Sequence, residues 1–126
     1  MNVIVDIGNT RVKVATFGTN SMLEVNYFEH NNWTDFVKGL GSHKLIISNV
    51  GQDDNSVVKE FPDALYLHNQ LNFSFVNKYA TPGTLGVDRI SLVEGSARYS
   101  AGNRLIIDLG SCITFDFVTQ YNEYLG

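Results

Sequence analysis

Residues 105–112, Leu105-Ile106-Ile107-Asp108-Leu109-Gly110-Ser111-Cys112, repeat a phrase already written near the start of the chain, Val3-Ile4-Val5-Asp6-Ile7-Gly8-Asn9-Thr10. Each copy is an apolar strand, an Asp where the strand ends, a Gly turn with small polar residues, and a return strand. The return is Arg11-Val12-Lys13-Val14 in the first copy and Ile113-Thr114-Phe115-Asp116 in the second. The two Asp and the two Gly share one offset of 102 residues. A single hairpin of this kind is explained by turn chemistry alone. Its repetition points to two related half-domains facing each other across a cleft, an arrangement that grips a phosphate and its metal ion from both sides.

In the first copy, the Asp6 carboxylate stands where it reaches a divalent ion, directly or through a bound water. Gly8 lets the backbone approach phosphate with no side chain in the way. The turn N–H groups around Asn9 and the Thr10 hydroxyl donate to phosphate oxygens. Lys13 lies on the strand face opposite Val12 and Val14 and can bring positive charge to a transferring phosphoryl group. In the second copy Asp108 is the counterpart of Asp6, and Ser111 and Thr114 add hydroxyls. Asp116 follows on the face of Thr114. The pair could hold a cation and the outer phosphates, or merely line the exposed side of an edge strand.

A third group, Gly86-Val87-Asp88-Arg89, opens a helix. A first-turn Asp is favoured by the helix dipole whatever its role. Beside two phosphate hairpins it is also the part a kinase still needs, a general base for the attacking hydroxyl. Arg89 then offers a planar fork to a carboxylate or amide of the acceptor. Tyr79, ahead of Pro82 in the segment leading to Asp88, either lines the acceptor pocket or packs. His30, His43 and His68 are isolated from other metal-ligating residues, and Cys112 has no basic neighbour to activate it.

Around these motifs the pattern is mixed α/β. Strands are predicted over 2–7, 11–17, 22–28, 44–48 and 64–68. Helices are predicted from Thr34, as N-cap, to about Gly39, over Asp53–Phe61, and over Leu85–Tyr99 as the longest. Residues 69–84 read as an irregular connection. The expected division is a first α/β domain over 1–100 and the opening hairpin of a second over 101–126. Two strands are too few for an independent sheet, so the 104–119 hairpin is expected to pack against another chain or to be poorly ordered.

At 126 residues with 44% hydrophobic content the chain can bury a real core. A net charge of −4 offers no attraction to nucleic acid or to an anionic membrane. With one cysteine, no signal-like start and no membrane-spanning run, the default expectation is the cytoplasm.

These motifs together resemble the type III pantothenate kinases, members of the acetate and sugar kinase, heat-shock ATPase and actin superfamily. The resemblance runs from Asp6-Ile7-Gly8-Asn9-Thr10 with Lys13, through Tyr79-x-x-Pro82 and Gly86-Val87-Asp88-Arg89, to Asp108 through Asp116. The middle element is the specific one. The resemblance implies an actin-like (ribonuclease H-like) half-domain with a mixed sheet, plus the first hairpin of a second. It implies transfer of the ATP γ-phosphate to the primary hydroxyl of pantothenate, the first step towards coenzyme A. Asp88 would be the catalytic base, and Tyr79, Gly86, Val87 and Arg89 would bind pantothenate. Asp6, Gly8, Asn9, Thr10, Lys13 and Ser111 would bind ATP phosphates with Mg2+ at Asp6. Asp108 would hold a monovalent cation, K+ or NH4+, and the protein would be a homodimer.

Family members usually carry Thr and Ala at the positions of Ser111 and Cys112, and they continue into a completed second half-domain. Residues 1–126 alone are therefore expected to show little or no kinase activity. Two other readings stay open at this point: another actin-like small-molecule kinase, and a non-catalytic nucleotide-binding regulatory module.

Overall fold

The computed structural model describes every residue except Ser42, Gln52 and Asp53, and the backbone alone of Asp54. The chain folds as two compact units, Met1–Leu67 and His68–Gly126.

The first unit grows outward from strand β1 (Asn2–Ile7). Strand β2 (Val12–Phe17) returns antiparallel to it, and β3 (Met22–Phe28) extends that meander. On the other side of β1, strand β4 (Lys44–Asn49) and then β5 (Leu65–Tyr66) run parallel, giving the order β3-β2-β1-β4-β5. Parallel neighbours need long crossovers. Helix α1 (Trp33–Gly39) lies in the connection before β4, and helix α2 (Asp54–Glu60) in the one after it. Strand alternation sends Val3, Val5, Ile7, Val12 and Val14 to one face. There they are buried with Ile47, Trp33, Val37 and Val57. Each fully buried aliphatic side chain contributes about 1.5–3 kcal/mol, so this face anchors the strand that carries Asp6.

Helix α1 begins ahead of the expected Thr34 cap. Asn32 occupies the N-cap with φ of 67°, a left-handed conformation that Asn tolerates better than a β-branched Thr. The helix read from Asp53 is described from Asp54 onward, and Asp53 itself lies outside the described residues.

In the second unit, helix α3 (Val87–Ser96) packs on the hairpin formed by β7 (Arg104–Leu109) and β8 (Ile113–Val118). Strand β9 (Glu123–Tyr124) pairs antiparallel with β8, and β6 (Val76–Asn77) pairs parallel with β9. The sheet order is β6-β9-β8-β7. Its core is Phe75, Leu85, Ile90, Val93, Val118 and Tyr124.

The compact units part at Leu67/His68. Ile90 and Val93 of α3 bury against Val118 and Tyr124, which ties the helix to the second hairpin. That hairpin is not a bare pair of strands. Residues 76–77 and 123–124 widen it to four, each strand being too short for a period of two to be visible in the sequence. Helix α3 is shorter than expected at both ends: Pro82–Thr84 forms a 3-10 turn with Gly86 extended ahead of Val87, and the helix closes at Ser96 with Ala97 as its C-cap. It is still the longest helix among the described residues. No helix among them is long and apolar enough to cross a membrane.

The side of β7 and β8 facing away from α3 is apolar and open. Leu105, Ile107, Leu109, Ile113 and Phe115 are each 50–77% exposed.

Candidate active site

In the first unit, the Asp6 hairpin closes through the Gly8 N–H, which donates to the Arg11 carbonyl at 3.0 Å. Asp6 has Lys13 as its cross-strand partner on β2 and Ser48 as its partner on β4. Partners in register share a face of the sheet, so ammonium, carboxylate and hydroxyl stand in one row across three strands. Lys13 Nζ donates to Asp6 Oδ2 at 3.2 Å, with both side chains open to solvent. The Ser48 hydroxyl is buried and has no hydrogen-bond partner among the described residues. Buried polar atoms are normally paired, so this one is poised for a water or a ligand.

Two loops brace the turn. Val50 N–H donates to the Ile7 carbonyl at 2.9 Å, and His30 Nε2 donates to the Asn9 carbonyl at 3.0 Å. Gly51 passes so close that a Cβ there would lie under 3.0 Å from the Gly8 carbonyl. Asn9 and Thr10 remain exposed at the tip. Ser48 and Gly51 escaped the sequence reading. Their one available signal was position, at and just beyond the end of the buried strand Leu45-Ile46-Ile47.

The second hairpin repeats the first with a turn one residue shorter. Gly110 N–H donates to the Cys112 carbonyl at 3.2 Å, as Gly8 does to Arg11. Asp108 pairs with Thr114, so a neutral hydroxyl stands where the first hairpin has the Lys13 ammonium. Like the Ser48 hydroxyl beside Asp6, though on the hairpin's own return strand, the Thr114 Oγ1 is buried with no partner among the described residues. Ser111 and Cys112 are exposed in the turn, and Cys112 is a free thiol.

Asp116 corrects both roles read from the sequence. It neither lines an exposed edge nor stands free to hold a cation. It is fully buried, with its carboxylate already taken. Arg89 Nε donates to Asp116 Oδ1 at 3.0 Å and to Oδ2 at 3.3 Å, and Arg89 Nη2 donates to Oδ1 at 2.5 Å. The Tyr124 hydroxyl donates to the same Oδ1 at 2.5 Å. The hydrogen bond with Asp116 pushes the Arg89 guanidinium further up from its ordinary value. Burial, seconded by the bond to Asp116, pushes the Tyr124 phenol up.

Tyr79, Gly86, Val87, Asp88 and Arg89 gather around the start of α3. The Arg89 guanidinium carbon lies 5.5 Å from the centre of the Tyr79 ring, and that ring stacks on Tyr124 at 6.0 Å. Tyr79 therefore both packs and flanks the arginine. Asp88 Oδ1 accepts the Arg89 N–H at 2.8 Å in the first turn. A Cβ at residue 86 would come under 3.0 Å from that same oxygen. Glycine at 86 thus reserves the space in which the Asp88 carboxylate is held.

What gathers here is a half-exposed carboxylate at a helix start beside a clamped guanidinium. Each unit also has an Asp-tipped glycine turn with a buried, unpartnered hydroxyl next to the Asp. Among the described residues no three His, Cys, Asp or Glu side chains cluster as a self-sufficient metal site. A metal ion would have to share its coordination with water and phosphate, which is how Mg2+ is commonly bound.

Comparisons with known proteins find relatives along the whole chain. Over its whole length the chain is 38% identical to the type III pantothenate kinase of Flavobacterium johnsoniae and 38% identical to that of Christiangramia forsetii, covering 55% and 56% of those proteins. It is 34% identical to the enzyme of Bacteroides fragilis, again over its whole length and 55% of the relative. The chain thus spans about half the length of the curated relatives it matches. A Campylobacter jejuni crystal structure, described as a candidate Baf family transcriptional activator, shares the fold with a TM-score of 0.63 at 23% identity. It covers 98% of this chain and 51% of that one. The pattern of the type III pantothenate kinase family matches residues 2–126, and the chain belongs to that family.

Proposed function

We propose that this chain carries the base and the phosphate-gripping turns of an ATP-dependent pantothenate kinase, which phosphorylates the primary hydroxyl of pantothenate at the start of coenzyme A synthesis. The observation that carries the reading is the start of α3, where Gly86 keeps room for the Asp88 carboxylate and Arg89 lies beside it. In the reaction, Asp88 takes the proton of the pantothenate hydroxyl as its oxygen attacks the γ-phosphorus. The bond from that phosphorus to the β-phosphate oxygen breaks, and ADP leaves.

Tyr79, Gly86, Val87 and Arg89 bind pantothenate, with Arg89 facing its carboxylate. Gly8, Asn9, Thr10, Lys13 and Ser111 hold the ATP phosphates through backbone N–H groups, hydroxyls and one ammonium. Asp6 suits Mg2+ because its carboxylate is partly exposed beside the unpartnered Ser48 hydroxyl. When bound, Mg2+ offsets the charge that develops on the phosphate oxygens. Asp108, beside the unpartnered Thr114 Oγ1, suits a monovalent cation, K+ or NH4+. We further read the first unit as an actin-like (ribonuclease H-like) half-domain and β7–β8 as the opening of a second. The matching glycine turns support this. A cytoplasmic homodimer is the assembly and location in keeping with this reading.

Asp88→Asn tests it. With ATP, Mg2+, K+ and pantothenate, coupled ADP release by a protein that joins this chain to a completed second half-domain should fall about 10²–10⁴-fold in the variant, while nucleotide binding is retained. Unchanged turnover would remove Asp88 as the base. Phosphorylation of a sugar in place of pantothenate would move the reading to another kinase of the superfamily.

A further inference from the structure

The acceptor reading uses Arg89 but leaves unexplained the most deeply buried charge in the second unit. Asp116 is fully buried at the middle of β8, and two groups converge on a single oxygen of its carboxylate. A carboxylate in such a place is strongly disfavoured unless it is paired and hydrogen-bonded. Pairs of this kind are weak evidence for stability, since an apolar replacement often serves as well. Their attested use is to hold a geometry. Here the geometry held is that of Arg89.

Asp116 takes the Nε and Nη2 edge of the guanidinium, and Tyr79 covers its side at 5.5 Å. Tyr124 fills the space behind. Its hydroxyl orients the Asp116 carboxylate, and its ring supports Tyr79. The fork is thereby fixed before any acceptor arrives, with Asp116 engaging Nε and Nη2 and not Nη1. An unrestrained arginine would lose its rotamer freedom at the moment of binding, which weakens affinity.

We propose that Asp116 and Tyr124 are positioning residues for the acceptor pocket, holding Arg89 so that its guanidinium meets the acceptor carboxylate already oriented. This rests on the reading of Arg89 as a pantothenate contact.

The test follows pantothenate binding to the 126-residue chain by NMR, with the Arg89 Nε–H resonance as reporter. In the parent, that resonance should be protected from solvent exchange and should shift on addition of pantothenate. In Asp116→Asn, which keeps the volume and removes the charge, protection should be lost and affinity for pantothenate should fall about tenfold or more. Tyr124→Phe keeps the ring and the charge, so its affinity should fall by a smaller factor, about two- to fivefold. If Asp116→Asn does not fold, the Tyr124→Phe result decides.

Unchanged affinity in a folded Asp116→Asn or, failing that, in Tyr124→Phe would overturn the proposal and leave the acceptor reading intact. A parent that protects the Arg89 Nε–H but does not bind pantothenate would remove the acceptor reading, and this inference with it.

Discussion

The two Asp hairpins are near copies in sequence and have opposite fates in the fold. On β1 and β2 the face turned away from Asp6 is the centre of a core, with Val3, Val5, Ile7, Val12 and Val14 buried with Trp33, Val37 and Val57. On β7 and β8 the corresponding face, away from Asp108, carries Leu105, Ile107, Leu109, Ile113 and Phe115 in the open. Strand alternation decides which side chains share a face, but cover must come from another element. In the first unit α1 and α2 contribute it. In the second, α3 packs on the other side of the sheet, against Val118 and Tyr124.

The polar faces diverge as well. Asp6 meets an exposed ammonium, whereas the charged pair of the second unit, Arg89 with Asp116, is largely withdrawn from solvent. One turn design thus serves two electrostatic settings.

The sharpest probe of this contrast is a pair of truncations at positions 102 residues apart. Ile7→Ala, in the closed core, should destabilise the first unit by about 2–5 kcal/mol. Leu109→Ala, its counterpart at 77% exposure, should change stability by no more than about 0.5 kcal/mol. Urea unfolding followed by Trp33 fluorescence reads the first, and amide exchange in β8 reads the second. Equal effects would mean that the second face is covered in solution.

A smaller effect separates the turns. Gly51→Ala places a Cβ against the backbone of Gly8, where only main-chain movement can relieve it, and should cost about 1–3 kcal/mol. Gly110→Ala meets its nearest neighbour, Asp108 Oδ2, at an ordinary 3.5 Å and should be close to neutral. Thermal unfolding of both variants checks the difference. If Gly110→Ala were the more damaging, the bracing loops assigned to the first turn would have no mechanical role.

The smallest effect belongs to the exposed ion pair. Lys13→Met should alter stability by about 1 kcal/mol or less, and the difference should shrink further as salt is raised. A large, salt-independent loss would show that Lys13 is held by more than Asp6.

Much of this molecule could be read before any coordinates. The Asp-Gly turns, the strands flanking them and the presence of a long helix within 85–99, though not its bounds, follow from local signals: alternation, turn residues and helical spacing. The places of Asp6, Gly8, Asp88 and Arg89 in the fold were legible for the same reason, since each sits near the end of an element that its neighbours announce. Strands of two residues, such as Val76–Asn77 and Glu123–Tyr124, carry no period and were invisible. Ser48 and Gly51 matter through partners on another strand and another turn, more than 40 residues away in the chain. No local pattern encodes that.

Asp116 draws the line most clearly. Its place on the Asp108 side of β8, two residues beyond Thr114, was fixed by alternation as soon as the strand was recognised. Whether that side would be wet or dry was settled by the packing of α3 and β9, which bring Arg89 and Tyr124 to its carboxylate. Periodicity is a property of the backbone and is written locally, residue by residue. Burial and charge pairing arise only when distant segments exclude water together, and one chain read in order does not state which segments those will be.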